Sequence, residues 1–228
     1  MFEINNLCKH YKNGNGISNI TVTIEKPMIT AFVGPNGSGK STLFNAMAGL
    51  NKQDSGQVLI DKIPLEKLND FEVSFMPDGS WLMPTFSVEQ VLMYFSIMKY
   101  NCIKTEEIEQ LILTFNMTEY RNKKVADLSK GMLQKLSIGC TLLGFPRIMI
   151  FDEPLNFLDT EGVIVFKKLL KMCVKKGRYV FLSSHILDFL DGLVEKVILI
   201  KNGEIVKILD EENIKNLEHT YQEVFLKG

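Results

Sequence analysis

Gly34-Pro35-Asn36-Gly37-Ser38-Gly39-Lys40-Ser41-Thr42 is the most informative segment of the chain, because it has the glycines, lysine and serine of a phosphate-binding loop (P-loop). It follows the apolar run Met28–Val33, which predicts a strand, and it precedes a predicted helix from Lys40 to about Gly49. The glycines allow backbone N–H groups to converge on one anion, and a helix N-terminus adds unpaired donors. Lys40 would contact the β- and γ-phosphates of a nucleotide, and the Ser41 hydroxyl would bind Mg²⁺. The sequence therefore predicts a nucleotide site formed by this whole segment.

A second informative segment places two acids directly after an apolar run. Ile148–Phe151 predicts a parallel strand buried on both faces, and Asp152 and Glu153 follow it. Ligands of open α/β sheets bind at this end of the strands. Asp152 suits a magnesium-holding role, and Glu153 is placed to orient or deprotonate an attacking water. A carboxylate that faces the γ-phosphate favours hydrolysis over transfer to an acceptor.

The remaining periodicity predicts an α/β fold, with a P-loop NTPase core of mixed sheet flanked by helices. Other strands are predicted at Phe2–Leu7, Ile20–Ile24, Gln57–Ile60, Val73–Met76, Tyr179–Ser183, Val197–Ile200 and Glu204–Ile208, and other helices from Ser87, at Thr105–Phe115, Ser129–Leu143 and Thr160–Lys176. The early strands predict an N-terminal antiparallel β portion. We predict one domain over residues 1–228, with a catalytic core of residues 1–79 and 146–228 and a helical subdomain at about 80–145.

Composition excludes several classes of protein. The 228 residues carry 26 basic and 27 acidic side chains, and this near-zero net charge is atypical of a nucleic-acid-binding protein. The four cysteines are widely spaced, which predicts buried free thiols and not a disulfide framework or zinc site. No run approaches the roughly 18 apolar residues of a membrane span, and the N-terminus is unlike a signal peptide. We therefore expect a cytosolic protein that reaches a membrane only through a partner.

Further motifs resemble those of the ATP-binding subunits of ATP-binding cassette (ABC) transporters. Leu128-Ser129-Lys130-Gly131-Met132 resembles the signature motif of that family, and Leu155-Asn156-Phe157-Leu158-Asp159 resembles its D-loop. Ser183-Ser184-His185 resembles the segment of the switch histidine, and Tyr11 falls where the family stacks an aromatic ring on adenine. These elements stand in the family's order from about Tyr11 to Gly203. Together they are more specific than any one of them.

The resemblance implies an ATPase that uses ATP and Mg²⁺ and works as a head-to-tail dimer. His185 would contact the γ-phosphate, and Asp159 would lie at the dimer interface. Residues Ser129–Met132 of one chain would contact the ATP held by the other. The residues alone leave simpler roles open, since Ser129 and Asp159 are both good helix N-caps and Tyr11 could be a packed loop aromatic.

Two positions depart from the family pattern. The signature has Lys130 and Met132 where Gly and Gln are usual, a variant similar to that of ABC-2-type exporters of drugs, antibiotics or peptides. Asp78 stands where a loop usually ends in Gln; it keeps an oxygen for the metal but has no N–H to donate. We expect Asp78 to weaken nucleotide binding or slow hydrolysis without abolishing either.

The function predicted from the sequence is ATP hydrolysis that powers transport, most simply export, through a separate transmembrane permease subunit. The chain would sit at the cytoplasmic face of the membrane beside a second ATP-binding subunit, identical or paralogous. Two alternatives are a non-transport ABC ATPase acting on DNA or ribosomes and a P-loop kinase of a small metabolite. The apolar cluster at Trp81, Leu82, Met83, Phe86 and Tyr94 fits either a core or part of a groove for a membrane subunit.

Overall fold

The computed structural model describes residues 1–12, 14–68 and 71–226 of the chain, and these form two sheets with flanking helices. The strands are β1 (Phe2–His10), β2 (Gly16–Ile24), β3 (Ile29–Val33), β4 (Ser55–Ile60), β5 (Ile63–Pro64), β6 (Val73–Met76), β7 (Ile148–Phe151), β8 (Tyr179–Ser183), β9 (Lys196–Lys201) and β10 (Glu204–Asp210). The helices are α1 (Lys40–Met47), α2 (Val88–Tyr100), α3 (Thr105–Thr114), α4 (Lys130–Leu142), α5 (Thr160–Lys175), α6 (Leu187–Leu190) and α7 (Leu217–Tyr221).

The larger sheet has six strands in the order β10-β9-β3-β8-β7-β6, and only the β9–β10 pair is antiparallel. Strands β3, β7 and β8 are buried at every residue, as their predominantly apolar sequences require in a sheet covered on both faces. Because these strands are parallel, the carboxyl ends of β3, β6, β7 and β8 meet at one edge. The predicted phosphate loop, Asp78, the acid pair and His185 come within two residues after these ends.

The smaller sheet is antiparallel, in the order β2-β1-β4-β5, and shares a core with α1 and one face of the larger sheet. Aromatic rings join the layers: Phe2 on β1 lies 4.6 Å from Phe181 on β8, and Phe32 on β3 lies edge-on to Phe44 on α1 at 5.3 Å between ring centroids. This packing fixes the direction in which α1 leaves β3 and therefore the shape of the loop between them.

Residues 80–145, all of which the structure describes, contain α2, α3 and α4 with short 3₁₀ turns. The helix predicted from Ser87 begins with a capping box, in which Ser87 and Gln90 exchange side-chain-to-backbone hydrogen bonds at 3.2 and 2.8 Å. Trp81 and Tyr94 both pack edge-on against Phe95. The α/β fold class with its helical insertion is confirmed, while the subdomain boundaries stay a prediction.

The structure corrects several sequence-based details. It adds the short β5, α6 and α7, whose sequences are too brief to show a period, and β1 and β2 are longer than predicted because they pair with each other. Cys140 and Cys173 are buried, but Cys8 is half-buried and Cys102 is exposed, so the prediction of four buried thiols is wrong for these two. In the described part of the chain, every helix is too short or too polar to cross a bilayer.

Candidate nucleotide-binding site

The predicted phosphate loop connects the end of β3 to the start of α1. Gly34 lies so close to β9 that a Cβ there would come within 2.2 Å of the Ile200 carbonyl oxygen. Gly39 precedes α1 with a φ of 108°, a conformation that favours glycine, and it has no side chain with which to cap the helix. The Gly203 N–H donates to the Ser38 carbonyl at 2.9 Å, so the β9–β10 turn supports the loop from outside.

A cavity of about 190 Å³ opens over this loop. Its walls combine loop residues, the acids that follow β6 and β7, and two residues from the start of β2. They are Asn15, Gly16, Asn36, Gly37, Gly39, Lys40, Ser41, Thr42, Asp78, Asp152 and Glu153. A larger cavity of about 600 Å³ lies beside the C-terminal end of α1, between Ala46 and Val73, and contains none of these groups. The smaller cavity is therefore the one whose side chains could bind a phosphate group and a metal ion.

Lys40 is buried and folds over its own loop. Its Nζ donates to the Gly34 carbonyl at 2.7 Å and to the Pro35 carbonyl at 3.1 Å. Burial lowers the pKa of Lys40, while the nearby carboxylates of Glu153 and Asp152 act in the opposite direction. The ammonium is thus held in place before any anion contacts it.

The two acids after β7 have different environments. Asp152 is only 3% exposed, its N–H donates to the Met76 carbonyl at 2.8 Å, and its Oδ1 accepts a hydrogen bond from the Ser183 hydroxyl at 2.6 Å. Glu153 has a φ of 47°, which is uncommon for a residue with a side chain, and its N–H donates to the Ser183 hydroxyl at 2.7 Å. Asp152 is therefore fixed inside the sheet edge, and Glu153 turns out of it.

His185 lies beside Glu153, and its predicted contact with the γ-phosphate stays a prediction. Its Nδ1 is 2.9 Å from the Glu153 Oε2, and its ring is exposed on the other side. The pair places an imidazole against the Glu153 carboxylate, which itself lines the cavity. An ionised carboxylate accepts from Nδ1–H, so Nε2 is the ring nitrogen left to face a bound phosphate.

The predicted metal-binding residues Ser41, Asp78 and Asp152 all line this cavity. Hydroxyl and carboxylate oxygens are the ligands that Mg²⁺ prefers, so the donor set fits that ion. Among the described residues, no group of three or more acidic, histidine or cysteine side chains could hold a metal ion alone. The set is therefore suited to an ion whose remaining ligands are water and phosphate oxygens.

Tyr11 does not line the cavity. Its ring is 39% exposed, and its hydroxyl accepts a hydrogen bond from the Asn51 side chain at 2.9 Å. The nearby Asn15 and Gly16 reach the cavity instead. Neither was predicted from the sequence, since no motif marks them. Adenine stacking by Tyr11 stays a prediction.

The signature segment also lies outside the cavity. Ser129 caps α4, and its hydroxyl accepts a hydrogen bond from the Met132 N–H at 3.3 Å. The Lys130 ammonium lies 4.7 Å from the centroid of the exposed Phe157 ring, and a Cβ on Gly131 would come within 2.8 Å of the Phe157 carbonyl oxygen. The signature and D-loop segments of this chain therefore contact each other directly.

Asp159 caps α5, which is the simpler of the two roles considered for it. Its carboxylate accepts a hydrogen bond from the Gly162 N–H at 2.7 Å and pairs with the Lys135 ammonium on α4 at 2.9 Å. Both contacts lower the pKa of Asp159, that of Lys135 most. The carboxylate is still largely exposed, and its role at a dimer interface stays a prediction.

Known proteins resemble this chain over most of its length. The profile of the ABC transporter family matches residues 17–156. The SkfA peptide export ATP-binding protein SkfE of Bacillus subtilis is 29% identical over 92% of this chain and 89% of its own. The petrobactin import ATP-binding protein YclP of the same organism is 29% identical over 91% and 86%. A dimeric ATP-binding cassette solved in a post-hydrolysis state with ADP and Pi superposes with a TM-score of 0.81, at 27% identity over 92% of this chain and 99% of that one.

The profile covers more than half of the chain, and the fold, loop and acid pair agree with it, so the chain belongs to the ABC transporter family. Within that family it is an ATP-binding subunit and an ATPase. The resemblance stated from the motifs is thereby confirmed, and the kinase alternative is set aside.

Proposed function

We propose that this subunit binds Mg-ATP over the loop of residues 34–42 and hydrolyses it to drive a separate transmembrane permease subunit. The observation that carries this proposal is the cavity that Lys40, Ser41, Asp78, Asp152 and Glu153 line together. A lysine and a helix N-terminus favour polyphosphate, and the oxygen donors favour the Mg²⁺ that accompanies it.

Each residue has a role that its position supports. Phosphate oxygens would replace the Gly34 and Pro35 carbonyls as acceptors for Lys40. Ser41 and Asp152, with Asp78, would hold Mg²⁺, which neutralises developing charge on the phosphates when it is bound. Glu153 would accept a proton from the attacking water, and His185, 2.9 Å from it, would orient that carboxylate and contact the γ-phosphate.

The proposal includes a second ATP-binding subunit, identical or paralogous, in a head-to-tail dimer. The first turn of α4 offers backbone donors, yet Ser129 and Gly131 do not line the cavity of their own chain. A facing subunit would bring the signature segment Ser129–Met132 over the γ-phosphate, and it would bring Asp159 to the interface. The superposable cassette that was solved as a dimer supports this arrangement.

The permease would place the subunit at the cytoplasmic face of the membrane. Closure of two subunits around ATP and their release after hydrolysis would move the permease between its two accessible states. Export is favoured by the Ser129-Lys130-Gly131-Met132 signature and by the likeness to a peptide-export subunit. A petrobactin-import subunit is also 29% identical to this chain, so the direction of transport has to be measured with the permease present.

The test is the mass of a Glu153→Gln variant in Mg-ATP, measured by gel filtration with light scattering. This substitution keeps the size of the side chain but removes the base, so we expect a stable dimer with ATP and a monomer without it. Glu218→Gln is the matched control, since Glu218 is an exposed acid on α7 and belongs to none of the segments proposed for the site or the interface. A Glu153→Gln variant that binds ATP yet stays monomeric, both alone and with its permease, would contradict the shared-site proposal.

A further inference from the structure

We propose that Ser183 is a positioning residue that joins the metal-holding carboxylate of Asp152 to the backbone of Glu153. The inference rests on the roles proposed above for these two acids. The structure assigns Ser183 a place between them that the sequence motifs do not indicate, because the motif centres on His185.

Ser183 is the last residue of β8 and is fully buried. Its hydroxyl donates to the Asp152 Oδ1 at 2.6 Å and accepts from the Glu153 N–H at 2.7 Å. A hydroxyl has a single proton, so the donation to the carboxylate leaves only acceptor capacity, and the Glu153 N–H uses it. One side chain from the neighbouring strand therefore satisfies a polar atom of each acid.

The contact matters because Glu153 has an uncommon backbone conformation. A φ of 47° is unfavourable in a residue with a side chain and persists only where neighbouring contacts hold it. Ser183 holds the N–H of Glu153 on one side. On the other side, the Gln134 amide donates to the Pro154 carbonyl at 2.9 Å and, more weakly, to the Glu153 carbonyl at 3.4 Å.

The consequence is a link between metal binding and the direction of the Glu153 side chain. If the hydroxyl is removed, the Glu153 N–H loses its acceptor and Asp152 loses a charge-assisted donor. Asp152 would then be free to rotate at the metal, and Glu153 would be free to leave the left-handed conformation that sets it beside His185. A serine that served packing alone would affect stability and nothing else.

The experiment compares Ser183→Thr with Ser183→Val, two side chains of the same shape of which only threonine keeps the hydroxyl. Ser183→Ala repeats the test without added volume. Thr30→Val is the control, because Thr30 is equally buried on β3 and its hydroxyl has no partner among the described residues. The measurements are kcat, the Mg²⁺ concentration for half-maximal activity, binding of a fluorescent ATP analogue and the melting temperature.

We expect Ser183→Val and Ser183→Ala to lose about 10- to 100-fold in kcat and to need more Mg²⁺, while nucleotide binding is retained. Ser183→Thr and Thr30→Val should stay near the unmodified protein. Equal activity of the threonine and valine variants, or a lower melting temperature with unchanged kcat and Mg²⁺ dependence, would overturn the inference. An unmodified protein that releases no phosphate would instead overturn the proposed function.

Discussion

The N-termini of helices α1 and α4 could each bind a phosphate group, and their surroundings differ. At α1 the preceding residue is Gly39, which has no capping side chain, and the first turn opens into the cavity with Lys40 and the acids. At α4 the Ser129 hydroxyl already accepts a hydrogen bond from the Met132 N–H, and no residue of the signature lines the cavity. The first terminus is part of a site within one chain, whereas the second fits a site completed by another chain.

The two regions are nevertheless connected. Gln134 and Lys135, both on α4, contact the Pro154 carbonyl and the Asp159 carboxylate. Movement of α4 would therefore act on the segment that carries Glu153. The comparison predicts that substitutions at α1 abolish nucleotide binding, whereas substitutions at α4 spare binding and affect hydrolysis.

The largest effect is expected from Lys40→Met. This substitution removes the buried ammonium that lines the cavity, and we expect ATP affinity and phosphate release both to fall by about 100-fold or more. Equilibrium binding of a fluorescent ATP analogue and a phosphate-release assay measure the two quantities. Lys26→Met serves as the control, because Lys26 is exposed and precedes the start of β3, whereas the loop follows the end of that strand. Unchanged ATP binding by Lys40→Met would contradict the assignment of nucleotide binding to the N-terminus of α1.

A smaller and more selective loss is expected from Gly131→Ala. The added methyl would come within 2.8 Å of the Phe157 carbonyl oxygen, so either the signature or the D-loop must shift. We expect hydrolysis to fall about 10- to 100-fold with monomer ATP binding unchanged. Gly139→Ala on the same helix is the matched control, because its methyl would meet nothing nearer than the Phe115 ring at 3.8 Å, an ordinary van der Waals contact. Loss of ATP binding by the Gly131→Ala monomer would contradict the separation of the two regions.

Asp78→Asn tests the acid that stands where the family usually has Gln. The substitution keeps the shape of the side chain and removes a negative charge from the cavity, so we expect KM for ATP to fall about 2- to 10-fold. Asp78→Gln, which restores the usual residue, should do the same and change the Mg²⁺ dependence of phosphate release. Unchanged KM and Mg²⁺ dependence in both variants would place this side chain away from the bound nucleotide and metal.

The sequence predicts some parts of the fold and site well, while other parts could not be predicted from it. The loop, the acid pair and the strands before them were predicted because glycine spacing and unbroken apolar runs reflect local physics. The contact of Ser183 with both acids was not predicted, since it joins residues about 30 positions apart on neighbouring strands. The same holds for Gln134 and for Asn15: their roles depend on tertiary packing, which no local pattern records. Tyr11 differs from these residues, because its position in the family pattern predicted a contact with adenine, yet its side chain does not line the cavity.

The smallest expected effect on ATP binding concerns Lys99 on α2, which connects the C-terminal end of α4 to the strand that leads to Asp78. Its Nζ donates to the Ser74 hydroxyl on β6 at 3.2 Å and to the carbonyls of Cys140 and Leu143 at 3.1 and 2.7 Å. Burial lowers the pKa of Lys99 from 10.5 to about 8, against smaller opposing effects of Cys140 and Glu107. Burial also raises the pKa of the Cys140 thiol to about 12, so that thiol stays neutral between pH 7 and 10.

Between pH 8 and 10.5 the unfolded chain holds the Lys99 proton more tightly than the folded protein does. The contribution of Lys99 to the free energy of unfolding therefore rises with pH across this window, by at most about 3 kcal/mol. Urea unfolding of the unmodified protein and of Lys99→Met at pH 7, 8, 9 and 10 measures this contribution as the difference between two curves. We expect the difference to shift in favour of the unmodified protein above pH 8, while ATP affinity at pH 7 is unchanged. Parallel curves would mean that the Lys99 ammonium is as well solvated in the folded protein as in the unfolded chain.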